Sequence, residues 1–390
     1  MPAHDDDQTT AAMPQPPGPA IPLDLADPVD VLSWLPYGLG FRPEESVVLI
    51  AVHHDDDQIR LGLLARFDLR DLGLAEVRRN VEAHLCAERA TQVLCVIVSE
   101  EPWEQTLALM RPAGRVLEWW LTRPWSDPCA TWLMSRKAFR CLECARPGCC
   151  PEHGRAASAL AHSATTASLV YQGRSYVEDR RDLTAQADLV ADGRRAASAA
   201  AVRHWRRREQ TRDREGLQAW RTGCLERWTV LVQRAASGSA AEPPPEPALL
   251  GEVLAGLSDT WVRDGVMLAA AAGRVLDPGE RDGVLAELFV GDVQPVEEHQ
   301  RPARQALMCL ASHATRRWRV APLATASWLA WWSGDGASAG QLLDRACALD
   351  ADYSLAHLLR TILAAGVAPG WVRAAAPPQH PYGRDQELLD

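Results

Sequence analysis

Lysine is all but missing from this chain. Lys137 is the only one, and arginine carries the rest of the side-chain positive charge. With the surplus of alanine, glycine and proline, that bias reads as GC-rich coding, not as a binding choice. No run of about eighteen apolar residues occurs, so no transmembrane helix is expected. A basic region followed by an apolar stretch is missing too. Residues 1–22, "MPAHDDDQTTAAMPQPPGPAIP", carry acid and proline instead. No secretory signal is expected, and the protein reads as cytoplasmic. A positive balance is also lacking: the formal net charge of −10 argues against coating nucleic acid or binding an anionic membrane, while leaving room for a local basic patch.

What is present fits an ordinary globular protein, 47% apolar and 24% charged. At 390 residues there is room for two or three domains and a sizeable core. Ten cysteines in a cytoplasmic chain are expected to be reduced, buried or metal-bound, not paired in disulfides.

Structure is expected to begin at "DLADPVDVLSWLPYGLGF", after a disordered tail of residues 1–22. Asp27 can cap a helix, Pro28 suits its first turn, and Val29, Val31, Leu32 and Leu35 give it an apolar face. Gly38 or Gly40 can end it in a left-handed conformation, and Pro43 blocks re-entry. The strand "SVVLIAV" follows at 46–52, then a turn "HHDDDQ" at 53–58, then the strand "IRLGLLARFDL" at 59–69. The histidines and aspartates of that turn invite a metal, but carboxylates favour turns, and "HDDDQ" recurs at 4–8 in the tail.

A helix is expected over about 72–90, with Leu74, Val77, Val81 and Leu85 on one face. "QVLCVIVS", 92–99, reads as a buried strand. "WEQTLALMRPAGRVLEWWLTR" reads as helix with a kink or restart at Pro112, and 130–142 as a last hairpin. The order predicts an α/β N-terminal domain with a mixed sheet over 23–155. Residues 156–235 read as helical and 236–247, "ASGSAAEPPPEP", as a linker. Residues 248–375 read as an all-α helical domain, and 376–390 as a flexible tail. Within that domain "PLATASWLAWWS" and "ASAGQLLDRACALD" predict a tetratricopeptide-like hairpin with Ala339, Leu342, Leu343, Ala346 and Leu349 on its stripe.

Several stretches in one order resemble the domain-of-unknown-function 4192 family of actinobacteria. "GFRPEESVVLI" is similar to its "LLGF-x-P-x-DS" segment, and "ARFDL" to its "R-x-DL" strand end, which falls on Arg66 and Asp68. "CARPGCCPEHG" resembles its "C-x4-CCP-x-x-G", "YVEDRRDL" more loosely its "SR-x-x-L" with the arginine at Arg180, and "WLAWWSGDGASAGQLLDRACALDADYSLAHLLRTILAAGVAP" its helical end. The resemblance implies architecture and a bacterial setting; the family carries no established activity.

Three stretches invite chemistry. "CLECARPGCCPEHG" offers thiolates and an imidazole, the ligands zinc prefers. Cys141, Cys144, Cys149 and His153 are the candidate metal ligands, leaving Cys150 spare; a reduced structural turn or redox chemistry are the competing readings, and the family pattern covers only Cys144, Cys149 and Cys150. "GASAG" at 336–340 matches a nucleophile elbow and "GDGASA" a dinucleotide loop, but both need a preceding strand where a helix is expected. "RHWRRREQTRDREGLQAWR", 203–221, joins arginine to Trp205 and Trp220 as nucleic-acid binders do, yet Glu209, Asp213 and Glu215 interleave, which favours a solvated face with internal ion pairs. The tryptophans at 328, 331 and 332 are expected to be core or partner contacts.

The first expectation for function is a non-catalytic interaction or scaffold protein with a protein partner, no membrane, and nucleic acid disfavoured. One rival is an enzyme with a small-ligand site at the strand ends, where Gly40, Phe41, Pro43, Arg66 and Asp68 converge on an anion; the bland reading of Arg66 and Asp68 is a surface ion pair. The other is a nucleic-acid-binding regulator using helix 203–221.

Overall fold

In the computed structural model the described residues are 23–25, 27–55, 58–75, 77, 79, 81, 82, 85, 92–109, 126–142, 150, 151, 153–237, 243–277, 280, 284, 293–364, 367 and 369–371. The chain divides into two compact units, Met1–Gly73 with Ala90–Tyr176, and Leu74–Arg89 with Val177–Asp390. The tail expected over 1–22, Pro112 and residues 376–390 fall outside the described residues.

The first unit opens with α1 (Pro28–Leu39). The Asp27 carboxylate accepts the Val29 N–H at 2.9 Å, Pro28 sits in the first turn, and Val31, Leu32 and Leu35 are buried. Gly40, at φ 77°, ends the helix. Of the two candidate glycines this is the one that needs left-handed freedom.

A mixed six-stranded sheet follows in the order β2-β1-β3-β4-β5-β6. Its strands are β1 (Ser46–Asp55), β2 (Gln58–Asp68), β3 (Gln92–Val98), β4 (Ser126–Met134), β5 (Ala138–Cys141) and β6 (Arg155–Ala156). β1 runs three residues further than the sequence suggests, to Asp55, which pairs with Gln58. β1 pairs antiparallel with both β2 and β3, and β3 pairs parallel with β4. Val47 to Val52 and Val93 to Val98 are buried without alternation, so these central strands are covered on both faces. α2 (Trp103–Leu109) lies on the crossover that the parallel β3–β4 pair demands. α3 (Ala164–Tyr171) and a helical turn at Ser158–Ala161 hold α1. Ser33 donates to the Leu160 carbonyl at 3.2 Å, and Thr165 donates to Asp30 at 2.6 Å.

The helix expected over 72–90 is described at scattered positions only. Leu74 lies ahead of it and is 53% exposed, so it is not on the buried face; Leu85 is buried.

The second unit is helical: α4 (Arg194–Gln210), α5 (Arg214–Ser237), α6 (Pro247–Leu257), α7 (Thr260–Ala272), α8 (Glu297–Ser312), α9 (Arg316–Trp332), α10 (Gly336–Leu349) and α11 (Ser354–Ala364). α9 is apolar nearly all round and almost wholly buried, as a central helix must be. Trp328 and Trp332 stack there with centroids 6.0 Å apart. The α9–α10 hairpin forms as expected, burying Ala339, Leu342, Leu343 and Ala346, with Leu349 packed at the edge. α4 meets α6 through small residues. A Cβ on Gly251 would come within 2.4 Å of the Ala200 Cβ and 2.6 Å of the Ala201 nitrogen, so only glycine lets these helices approach. The alanine-rich texture of 194–202 is therefore a packing device.

Candidate functional site

The strand-end positions converge through the backbone. Pro43 and Phe41 are buried, so they act as core. Between α1 and β1 the chain passes Glu45 at φ 38°, the one non-glycine residue with positive φ among the described residues. Its carboxylate accepts the Ser99 hydroxyl at 3.0 Å and the Glu100 N–H at 2.8 Å, and its carbonyl accepts the Leu69 N–H at 2.8 Å. One residue thus fastens the start of β1 to the ends of β2 and β3.

Arg66 and Asp68 project from the end of β2 into the same region. Arg66 donates to the Asp68 carboxylate and, at 3.3 Å, to the Glu44 carbonyl. Arg70 adds a second cation to Asp68 at 3.0 Å. Arg136 donates to the Glu44 carboxylate through its guanidinium, and its N–H donates to Glu100 at 2.7 Å. The side chains of Arg66 and Asp68 are 16% and 30% exposed, so this is a half-buried pair, not a surface one. Cations and carboxylates here largely satisfy one another. Among the described residues, Arg66 Nε is buried and has no hydrogen-bond partner.

Gly40 lies one helix end away from Arg42, whose guanidinium donates to the Tyr176 hydroxyl at 3.1 Å and sits 5.8 Å from its ring centroid. Tyr37 meets the same ring edge-on at 4.9 Å; burial, then the neighbouring phenol, raises its pKa.

Of the candidate metal ligands, Cys144 and Cys149 lie outside the described residues. Cys141 is buried on β5, opposite Trp132, and its N–H donates to Cys150 Sγ at 3.3 Å. His153 is exposed. The described geometry therefore places Cys150, the thiol set aside as spare, beside Cys141. Among the described residues, no three metal-ligating side chains come together.

The chain belongs to the DUF4192 family. The family model, a domain of unknown function, matches residues 28–370. No curated protein and no solved structure matches the chain. Ser338 of "GASAG" sits in the first turn of α10, 5% exposed, with its N–H donating to Asp335 at 2.9 Å. A helix precedes it, so the nucleophile-elbow and dinucleotide readings both lack their strand.

In the helical unit, Asp259 is buried and caps α7. It accepts the Trp261 N–H at 3.1 Å, Arg208 at 3.2 Å and Arg221 at 3.1 Å. Sequence reasoning missed it, because its arginines lie 38 and 51 residues away. The expected ion pairs within 203–221 do not form. Glu209 accepts the Trp205 indole N–H at 2.9 Å, and Asp213 accepts the Gly216 N–H at 2.6 Å. His204 stacks on Trp220 at 5.2 Å and faces Cys224 Sγ at 3.4 Å. Burial lowers the His204 pKa and raises that of Cys224. No helix among the described residues is long and apolar enough to cross a membrane.

Proposed function

We propose that this DUF4192 protein works by binding, as a cytoplasmic interaction protein of actinobacterial origin whose helical unit receives a protein partner. The observation that carries the reading is the run α8 to α11. These helices are joined by connections of three or four residues, 313–315, 333–335 and 350–353. Connections this short make antiparallel hairpins, the unit from which helical binding surfaces are stacked. The last helix, α11, leaves Leu358 54% exposed between the exposed His357 and Thr361. The closed network around Arg66 supports the same reading, since a ligand would have to displace Asp68. Affinity capture from host extract, read by quantitative mass spectrometry, tests it. A partner enriched by the natural protein and lost with Leu358→Glu, at unchanged melting temperature, is expected. Enrichment that is identical for both proteins overturns the role of α11.

A second reading rests on Arg66 Nε, buried and unpartnered. It makes the strand ends a site for a small anion and the protein an enzyme. A thermal shift with phosphate or carboxylate compounds that disappears in Arg66→Met favours it; no shift across such a panel removes it.

A further inference from the structure

The outer face of α4 carries four arginines, and no carboxylate among the described residues pairs with them. At about 100° per residue, Arg195, Arg203, Arg206 and Arg207 fall within one third of the helix circumference. Ala197, Ser198, Ala200 and Ala201, the buried residues, centre on the opposite side. All four arginines are exposed, and none makes an ion pair or hydrogen bond to a carboxylate among the described residues. Over 194–237 there are eleven arginines and four carboxylates. Four nearby carboxylates are engaged elsewhere: Glu209 by Trp205, Asp213 by the turn into α5, Glu252 by Arg227 at 2.9 Å, and Asp259 by Arg208 and Arg221.

The helix also breaks a local rule. Its first turn holds Arg194 and Arg195 and no acid, and its N-cap is Gly193 with no side-chain cap. Cations at a helix N-terminus oppose the macrodipole. A sequence that keeps them there without a compensating partner departs from self-consistency in the way functional surfaces do.

We propose that this face of α4 binds the phosphate backbone of nucleic acid. The four guanidinium groups span about 18 Å along the axis, at 1.5 Å per residue. They suit phosphate oxygens, which they can bind bidentately. Between them stand Ala196 and Ala199, both exposed and short enough for close backbone approach. Two other anionic partners fit less well. A membrane helix inserts large apolar side chains, but here the exposed face has only alanine and the apolar face is buried in the unit's own core. An acidic peptide needs pockets for its side chains, and this face is convex. The net charge of −10 does not abolish the attraction, because charges more than about 10 Å away are screened at 0.1 M salt. The net charge keeps binding modest, while contacts to phosphate alone make it sequence-independent and steeply salt-dependent.

The test uses the full chain and a fluorescently labelled duplex DNA, with anisotropy read over a range of salt concentrations. Four phosphate contacts predict a log–log salt slope of about −3 to −4. Arg203→Ala, Arg206→Ala and Arg207→Ala together should weaken binding more than about tenfold at low salt and flatten the slope by about three. These exposed helical positions tolerate alanine, and circular dichroism checks that the fold is kept. A control with Arg227→Ala, Arg234→Ala and Arg274→Ala removes the same charge elsewhere and should bind nearly as the natural protein does. Absence of salt-dependent binding overturns the proposal, as does equal weakening in the control. Tighter binding to polyglutamate or to phosphatidylglycerol vesicles than to DNA also overturns it, and reassigns the face to an acidic protein or a membrane.

Discussion

Glu45 holds Ser99 at 3.0 Å across the mouth of the sheet, and it does so from a left-handed backbone conformation that glutamate seldom adopts. The two residues are far apart in sequence, and their contact fixes how β1 and β3 end beside each other. The network continues outward through Glu100 and Arg136 to Glu44, and through the Glu44 carbonyl to Arg66. It is a closure of strand ends in which, among the described residues, Arg66 Nε has no partner.

Glu45 combines a favourable carboxylate with an unfavourable backbone, and two substitutions separate them. Glu45→Ala loses charge-assisted hydrogen bonds and keeps the strain, at a cost of about 1–2 kcal/mol for these partly exposed bonds. Glu45→Gly loses the same bonds but accepts φ 38° freely, so it should be more stable than the alanine variant by about 0.5–1 kcal/mol. Urea denaturation of both variants measures the difference. Equal midpoints would mean that the backbone there carries no strain.

His204 makes stability depend on pH. Burial lowers its pKa; Glu252 opposes this, and Arg207 and Arg227 add to the lowering. Its folded pKa therefore lies below its unfolded value, and the unfolded chain binds the extra proton. The stabilisation is complete above the unfolded pKa of about 6.5 and is lost as pH falls toward the folded pKa. His204→Gln should flatten that limb of the stability profile. Melting temperatures between neutral and mildly acid pH are the measurement, and an unchanged slope in the variant would assign the acid sensitivity to another group.

Much of the architecture is legible in the sequence because it is written locally. Asp27 and Pro28 start α1, Gly40 stops it, and the unbroken apolar runs at 47–52 and 93–98 mark the doubly covered strands. The candidate site is less legible because it is assembled from a distance. Glu44 meets Arg136 across 92 residues, and Asp259 meets Arg221 across 38. The basic helix shows how linear order misleads. Glu209 sits among arginines in the text, but the helical turn carries it toward Trp205 and away from Arg203 and Arg207. The pairing of Arg66 with Asp68 is readable as text, but the Glu44 carbonyl and Arg70 that join it are not.

The cysteines give the last prediction. Cys95 is fully enclosed on β3, where burial pushes its thiol up to about 12, and burial raises Cys224 as well. A thiol held neutral and out of solvent does not attack alkylating agents. Native labelling with iodoacetamide should leave Cys95 and Cys224 unmodified, whereas half-buried Cys347 reacts; all label after unfolding. The cluster around Cys141 answers differently according to its chemistry. A closed zinc site needs four ligands and ties metal release to loss of folding energy. Cys141 is buried beside Cys150, while His153 faces solvent, which weakens the set Cys141, Cys144, Cys149 and His153. Protein purified without added metal is therefore expected to carry no stoichiometric zinc, and Cys141→Ser to lower stability without releasing any. Elemental analysis decides this directly. One zinc per chain, lost in Cys141→Ser but kept in His153→Ala, would instead place Cys141 among the ligands and exclude the histidine.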